Sequence, residues 1–331
     1  MSEIQKYNDR VYGSVEITEP IVLEIINTPE FQRLKDIDQG GYFEVHFPGS
    51  KHNRFEHSVG VYELLRRYGA SLDEQIAGLL HDVSHSAFSH TIDYIVHDGS
   101  GKYQTYQDEI LTEYVKNSSI TQVLQKYNID VDYITDDKYF PLKETELPDL
   151  CADRIDYALR AFLAFNIAPI QVTNYFLSNL KAIDNKWVFN DVESARRYAN
   201  LFKELNDIYY SGPQTAHMFH TTAEYLRRAM DYEYITRNDL YTSDSYVLNK
   251  IKPYQKHDLI LQKLFLRMDN IVHWDLDKED YTAEIYCKSR CVDPLCRHAK
   301  KIMRLSDIHA EWRTITEETL KPKRHFIKFY D

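Results

Sequence analysis

No apolar run in this 331-residue sequence approaches the roughly 18 residues that a membrane-crossing helix needs. The first residues, MSEIQKYNDRVYG, lack the basic-then-apolar layout of a secretory signal. Cysteine is scarce and unevenly placed, four residues with no pattern of a disulfide framework. Positive charge is short as well: 40 Lys and Arg face 51 Asp and Glu, for a net charge of −11. That balance argues against a chain that coats nucleic acid, although a local basic site remains compatible with it. Internal repeats and low-complexity linkers are missing too. These absences leave a soluble, cytoplasmic protein that stays off membranes and off nucleic acid. A hydrophobic content of 43% supports a sizeable core, and the length suits one large domain or two modest ones.

The text that is present reads as mostly helical. Pro20 sits near the first turn of a short helix, and Thr28-Pro29-Glu30 opens another, FQRLKDI, ended by Gly40-Gly41. The stretch YFEVHFPGSKHN reads as irregular, turning at Pro48-Gly49. Ser58 to Tyr68 is amphipathic through Val61, Leu64 and Leu65. Ser71 and Glu74 have the spacing of a capping box, ahead of a helix that buries Ile76, Leu79, Leu80 and Val83. A further helix is predicted over 144–165 and a β-hairpin over 180–189, turning at Asp184-Asn185. Two helices over 191–231 break near Ser211-Gly212-Pro213, and two more cover 244–251 and 254–270. From about residue 281 the sequence turns strand-like, and it ends in a basic tail. The expected fold class is mainly α: a helical bundle with a small β-hairpin over 1–270, and a mixed α/β extension over 271–331. That extension packs on the core or at a subunit interface.

Chemistry concentrates between His52 and His90. His57, the adjacent pair His81-Asp82, His85 and His90 fall within 39 residues, and Cys151-Ala152-Asp153-Arg154-Ile155-Asp156 follows downstream. One His, a His-Asp doublet and a distant Asp can hold a cation with mixed nitrogen and oxygen ligands while leaving positions open. Adjacent His and Asp cannot both reach one point by helical periodicity; they can if the helix ends there. His85 and His90 then lie on the same face or ring the mouth of a cavity, where they can contact phosphoryl oxygens or carry a proton.

The ordered series VYGSVEI, TPEFQRLKDIDQGGYFEVHFPGSKHNRFEHSVGV, AGLLHDVSHSAFSH and ADRIDYALR resembles the HD-domain phosphohydrolases. The similarity is nearest the branch of deoxynucleoside triphosphate triphosphohydrolases and covers about four-fifths of the chain. The resemblance implies an HD helical bundle with its motif region at about 50–165. It implies one divalent metal (Fe, Mn, Mg or Zn) on His57, His81, Asp82 and Asp153. It further implies phosphate contact by Arg54, and phosphate contact or acid–base chemistry at His85, His90 and Asp93. Gln39 matches a sugar-binding position, and Arg154 and Tyr157 match positions facing phosphate and sugar. The implied reaction is hydrolysis of a nucleotide at the α-phosphorus to nucleoside and triphosphate, by a homo-oligomer. Asp156 is expected to support the helix or its neighbours.

Several positions depart from that branch. A further His expected to pair with Asp93 aligns with Gln107, for which His97 is a candidate substitute. Gly40 stands where the branch carries a bulky residue that rejects a ribose 2′-hydroxyl, and Ala161 where it often carries an acid. Leu201 lies near the place of an Arg that grips distal phosphates, with Arg196 and Arg197 about one turn away. These departures keep open a nucleotidase or phosphodiesterase acting on a smaller ester, and a nucleotide-responsive regulatory protein with weak turnover. Cys287, Cys291, Cys296 and His298 are a candidate zinc set beside the reading of ordinary reduced cysteines. Cys151 reads as a small buried thiol. The basic tail (Lys321, Lys323, Arg324, His325, Lys328) reads as a solvated or subunit surface, and Arg227-Arg228 as surface ion pairs.

Overall fold

The computed structural model describes residues 4–96 and 101–331. His97, the candidate substitute, lies outside them. An N-terminal hairpin comes first, β1 (Gln5–Asp9) and β2 (Gly13–Ile17). Its turn passes through Gly13 at φ 73°, a conformation that suits glycine. Sequence periodicity did not flag this hairpin, because β1 is mostly polar and only half covered.

Helices follow: α1 (Pro20–Ile26), α2 (Pro29–Gln32), α3 (Phe43–His46), α4 (Arg54–Arg67) and α5 (Leu72–Leu80). Then come α6 (Tyr106–Lys116), α7 (Ile120–Lys126), α8 (Val131–Ile134), α9 (Ala152–Ala164) and α10 (Ile170–Asn179). The hairpin β3 (Leu180–Ile183) and β4 (Lys186–Phe189) forms where expected, with Asp184 and Asn185 both at positive φ. Next are α11 (Val192–Leu205), α12 (Pro213–Asp231), α13 (Asp244–Ile251) and α14 (Leu259–Met268). The final stretch contains β5 (Trp274–Leu276), β6 (Ala283–Cys287), β7 (Leu295–His298), β8 (Lys301–Arg304), α15 (Leu305–Ile308), α16 (Ala310–Thr319) and β9 (Lys323–Phe329). The architecture is mainly α with small sheets.

Three local readings change. The helix expected over 144–165 starts only at Ala152; Pro148 disfavours helix in the residue before it, and 141–151 runs as turns and coil. The FQRLKDI helix is one α turn followed by a 3-10 turn, Arg33–Asp36. The Ser71 hydroxyl does cap the Glu74 N–H (3.2 Å), but the Glu74 carboxylate turns away to the Leu142 and Lys143 N–H groups. The break between α11 and α12 lies where expected, as a π-helical turn over Asn206–Tyr210 before Pro213.

The main core gathers α1, α4, α5, α9 and α11 with the N-terminal hairpin. A second cluster joins α12, α13 and α14. Residues 271–331 are woven into both sides. β7 pairs in parallel with β4, giving the sheet order β3-β4-β7-β8, and Cys291, Val292, Cys296 and Trp312 enter the main core. β9 lies between β5 and β6, and Ile285, Ile327 and Phe329 pack on Phe43 and the residues of α12.

Candidate metal centre and its cavity

Three elements bring the acidic and imidazole groups together. Asn53 caps α4 through the Glu56 N–H (2.8 Å), which places Arg54 and His57 on its buried first turn. α5 stops at Leu80, so His81 and Asp82 sit on the turn beyond it and both reach the same point. α9 is capped by Cys151, whose Sγ accepts from the Arg154 N–H, and presents Asp153 and Asp156 three residues apart on one face.

Those two carboxylates bracket one ring. His57 Nδ1–H donates to Asp156 Oδ2 (2.8 Å), and His57 Nε2 lies 2.9 Å from Asp153 Oδ1. His81 Nδ1–H donates to the Gly78 carbonyl (2.7 Å), so its Nε2 also faces inward. The two Nε2 atoms stand 3.1 Å apart, and His81 Nε2 is 3.3 Å from Asp153 Oδ1. Asp82 completes the ring, with Oδ2 3.7 Å from His57 Nε2 and Oδ1 3.5 Å from His81 Nε2. With each Nδ1 proton committed to an acceptor, the lone pairs of both imidazoles and the Asp153 carboxylate converge within 4.8 Å of one another, and the Asp82 carboxylate stands beside them. Such a donor set suits a divalent cation. The electrostatics agree: burial opposes charge on His57, yet Asp153, Asp156 and Asp82 push it up to about 9. Positive charge is what this point calls for. A second cluster, Glu144, Cys151 and Asp153, is less suited, because Glu144 already binds Arg154 and burial holds the Cys151 thiol well above its usual range.

Behind the ligands lies a buried ion chain. Arg160 Nε–H donates to Asp156 Oδ2 (2.6 Å), and Arg160 Nη2 donates to Asp156 Oδ1 (3.2 Å) and to Asp9 Oδ2 (2.7 Å). Asp156 thus supports the site through His57. α4 comes close enough for this at Gly60, where a Cβ would fall 1.9 Å from Arg160 Nη2 and 2.2 Å from Asp156 Oδ1.

A cavity of about 550 Å³ opens from the cluster. Gln39, Arg54, His81, Asp82, His85, His90, Asp153, Arg154 and Tyr157 line it; Asp93 does not, and stands behind His90. Arg54 is 1% exposed and faces inward: it pairs with Asp82 and donates to Ser89 Oγ (2.8 Å) and to the Gln39 carbonyl (3.2 Å). Burial works against the Asp82 carboxylate, but Arg54, His81 and His85 hold it well below its usual range. His85 Nε2 lies 3.2 Å from Asp82 Oδ1, and the His85 and His90 rings meet edge to face at 5.0 Å. Burial and the Arg54 cation push His85 down to about 3, and burial pushes Asp93 up to about 6.

Arg154 lines the cavity with its side chain held by neighbouring groups. Its guanidinium donates to the Asp149 and Thr145 carbonyls and to Glu144, so its fork is committed to the 144–149 loop. Gln107 lies on the cavity wall and donates to Asp108 (3.0 Å). Arg196 pairs with Glu193 and Arg197 lies over Tyr175, and neither reaches the cavity.

Sequence reasoning missed other walls. His52, Phe43, Phe165, Tyr209, Tyr210 and Phe219 line one, with the Phe165 and Tyr209 rings stacked at 4.1 Å. Lys288 and Arg290 line another, brought in by the extension. The remaining motifs are unconnected with the cavity. Cys287, Cys291, Cys296 and His298 form no metal-ligand group among the described residues; Cys291 contacts Thr316 and Cys296 the Met303 carbonyl. In the basic tail Lys321, Arg324 and Lys328 pair with Glu318, Glu284 and Asp280. Arg228 pairs with Asp258, while Arg227 donates to the Tyr94 carbonyl. Among the described residues, no helix is long and apolar enough to cross a membrane.

An HD doublet at a helix end, closed by a distant Asp inside a helical bundle, defines a metal-dependent phosphohydrolase class. The HD domain profile matches residues 54–158. Over 255 residues the chain is 31% identical to the uncharacterized protein YdhJ of Bacillus subtilis, covering 76% of this chain and 77% of that one. It is 33% identical over 221 residues to the metal-dependent phosphohydrolase cns2 of Cordyceps militaris, covering 65% of this chain and 63% of cns2. The deoxynucleoside triphosphate triphosphohydrolase SAMHD1 of Gallus gallus is 35% identical over 164 residues, which cover 42% of this chain and 26% of SAMHD1. The same fold occurs in a solved phosphohydrolase from Bacteroides thetaiotaomicron (TM-score 0.73, 18% identity, 99% of this chain and 100% of that one). A solved hypothetical protein from Aquifex aeolicus shares it too (TM-score 0.74, 18% identity, 99% and 97%). The chain belongs to the HD-domain phosphohydrolases.

Proposed function

We propose that this phosphohydrolase acts on nucleoside triphosphates, adding water at the α-phosphorus and releasing nucleoside and inorganic triphosphate. The observation that carries the reading is the composition of one cavity. It joins the His57, His81 and Asp153 group, with Asp82 beside it, to an aromatic wall that suits a base and to basic side chains that suit phosphate. Its volume of about 550 Å³ lies within the range of small-molecule sites.

Within this reading His57, His81, Asp82 and Asp153 hold one divalent ion, and Fe, Mn, Mg and Zn all suit the donor set. Such an ion, when bound, acidifies water and screens phosphate charge. The chain's own groups do the rest. Arg54 fixes the Asp82 carboxylate and sets positive charge beside the reacting phosphate. His85 is neutral in the free protein; an incoming phosphate raises its proton affinity, and it then delivers a proton to the departing 5′-oxygen. His90 and Asp93 stand behind it in the same line. The Gln39 carboxamide oxygen, buried and unpartnered among the described residues, accepts from a sugar hydroxyl. Tyr157 borders sugar and phosphate. The reading also includes homo-oligomers in the cytoplasm.

A second reading, a nucleotidase or phosphodiesterase acting on a smaller ester, draws on the carboxylates of Asp108, Asp137, Glu144 and Glu146 along the same cavity. Product analysis separates the two. Purified protein is given Mn²⁺, Fe²⁺, Mg²⁺ or Zn²⁺ with dNTPs, NTPs, monophosphates and a generic phosphodiester, and products are resolved by chromatography. Nucleoside plus triphosphate is expected. Phosphate released from a monophosphate, or cleavage of the phosphodiester to a monoester, supports the second reading, and turnover unchanged in Asp82→Ala overturns the site.

A further inference from the structure

The free cations of the cavity come from outside the helical bundle. After β6 buried and half-buried residues alternate along the chain. Cys287, Ser289 and Cys291 are buried, while Lys288 and Arg290 line the cavity. The segment is pinned from α11's end. Asn206 Oδ1 accepts from the Arg290 backbone N–H (2.7 Å), and Asn206 Nδ2 donates to the Ser289 hydroxyl (3.0 Å). Arg290 Nη2 donates to Gln104 (2.9 Å), and its guanidinium lies 5.7 Å from the centre of the Tyr210 ring.

The charges around these cations are largely settled. Asp137 pairs with Lys143, and Glu144 with Arg154. Burial pushes Asp108 up to about 7. Neither Lys288 nor Arg290 has an ion pair among the described residues. Their field reaches the proposed proton path: after burial and Arg54, these two cations are the next causes holding His90 well below its usual range.

We infer that Lys288 and Arg290 form a polyphosphate clamp, gripping phosphoryl oxygens beyond the one at the metal centre. They supply from the extension the distal grip that Leu201, Arg196 and Arg197 do not. This inference rests on the nucleoside triphosphate reading. An Arg fork and a Lys two residues before it, both lining one cavity, suit a chain of phosphates.

The test is isothermal titration of the 331-residue chain with inorganic tripolyphosphate at two salt concentrations, paired with nucleoside triphosphate kinetics. Lys288→Gln and Arg290→Gln are each expected to weaken tripolyphosphate binding about tenfold and to reduce its salt dependence. Arg290→Lys retains part of the affinity, and melting curves confirm that the variants fold. Lys301→Gln, an exposed charge on β8, binds like the wild type. Binding by both Gln variants within about twofold of wild type, with unchanged KM, overturns the clamp and leaves the substrate reading intact. Loss of binding in a chain that hydrolyses no nucleoside triphosphate sinks the substrate reading and keeps the clamp.

Discussion

Replacing Asp156 with Asn changes one atom type in a knot with no exposure to solvent. Asp156 accepts from His57 Nδ1–H at 2.8 Å and from Arg160 at 2.6 and 3.2 Å. An amide offers one acceptor and two donors. With its oxygen toward His57, the NH₂ group meets the Arg160 cation. With its NH₂ toward His57, the imidazole proton must move to Nε2, the atom that faces Asp153 and His81. Removing one partner of a buried pair costs about 3–5 kcal/mol, and Asp9, which keeps its bond to Arg160, places the expectation near the lower end. Loss of an outer hydrogen bond to a ligating His lowers metal affinity about 10–100-fold. Two measurements check both halves: metal retained per chain against a graded chelator, and the melting temperature with and without metal. Wild type is expected to melt higher with metal, and Asp156→Asn to lose most of that increment along with its activity. A variant that loses stability but keeps wild-type metal affinity and turnover refutes the argument. Asp156 would then serve Arg160 alone.

Two further outcomes follow from the same geometry. Gly60→Ala puts a methyl group into the Arg160–Asp156 pair, and urea denaturation should show a loss of about 1–3 kcal/mol; a change below about 0.5 kcal/mol contradicts the close approach of α4 and α9. Asp38 and Asp244 are both pushed up to about 7 by burial, so the folded state holds protons that the unfolded state has released above pH ~4. Their contribution to stability is therefore complete at low pH and is lost as pH rises through about 7. Asp38→Asn cannot ionise and should flatten the fall in melting temperature between about pH 4 and 7; an unchanged slope shows that Asp38 keeps an ordinary carboxyl.

The His81-Asp82 doublet was legible because its signal is local, whereas His57 and Asp153 joined it only through the family resemblance. His81-Asp82 is adjacent text, and the helix end that lets both converge is one turn away. The hairpin at Asp184-Asn185 was legible for the same reason, as both turn residues accept positive φ. The loop over 141–151 was not legible, and with it the Asp149 and Thr145 carbonyls that engage the Arg154 guanidinium at the cavity wall. Gly60 carried no signal, since its role is a contact with a helix nearly a hundred residues later. Lys288 and Arg290 carried none either. Their alternation with Cys287, Ser289 and Cys291 identifies a cavity wall only when the core side of that segment is known.

That segment also sets an order in time. Every candidate metal ligand, and the Arg160 that braces them, has been synthesised by residue 160. Lys288 and Arg290 follow about 130 residues later, a delay of about 7–26 s at 5–20 residues per second. A growing chain therefore owns the parts of a metal centre before it owns the wall that faces it. Metal that meets the chain in that interval would meet the candidate ligands before Lys288 and Arg290 stand beside them. Loading on the ribosome and loading after release are different routes into this protein.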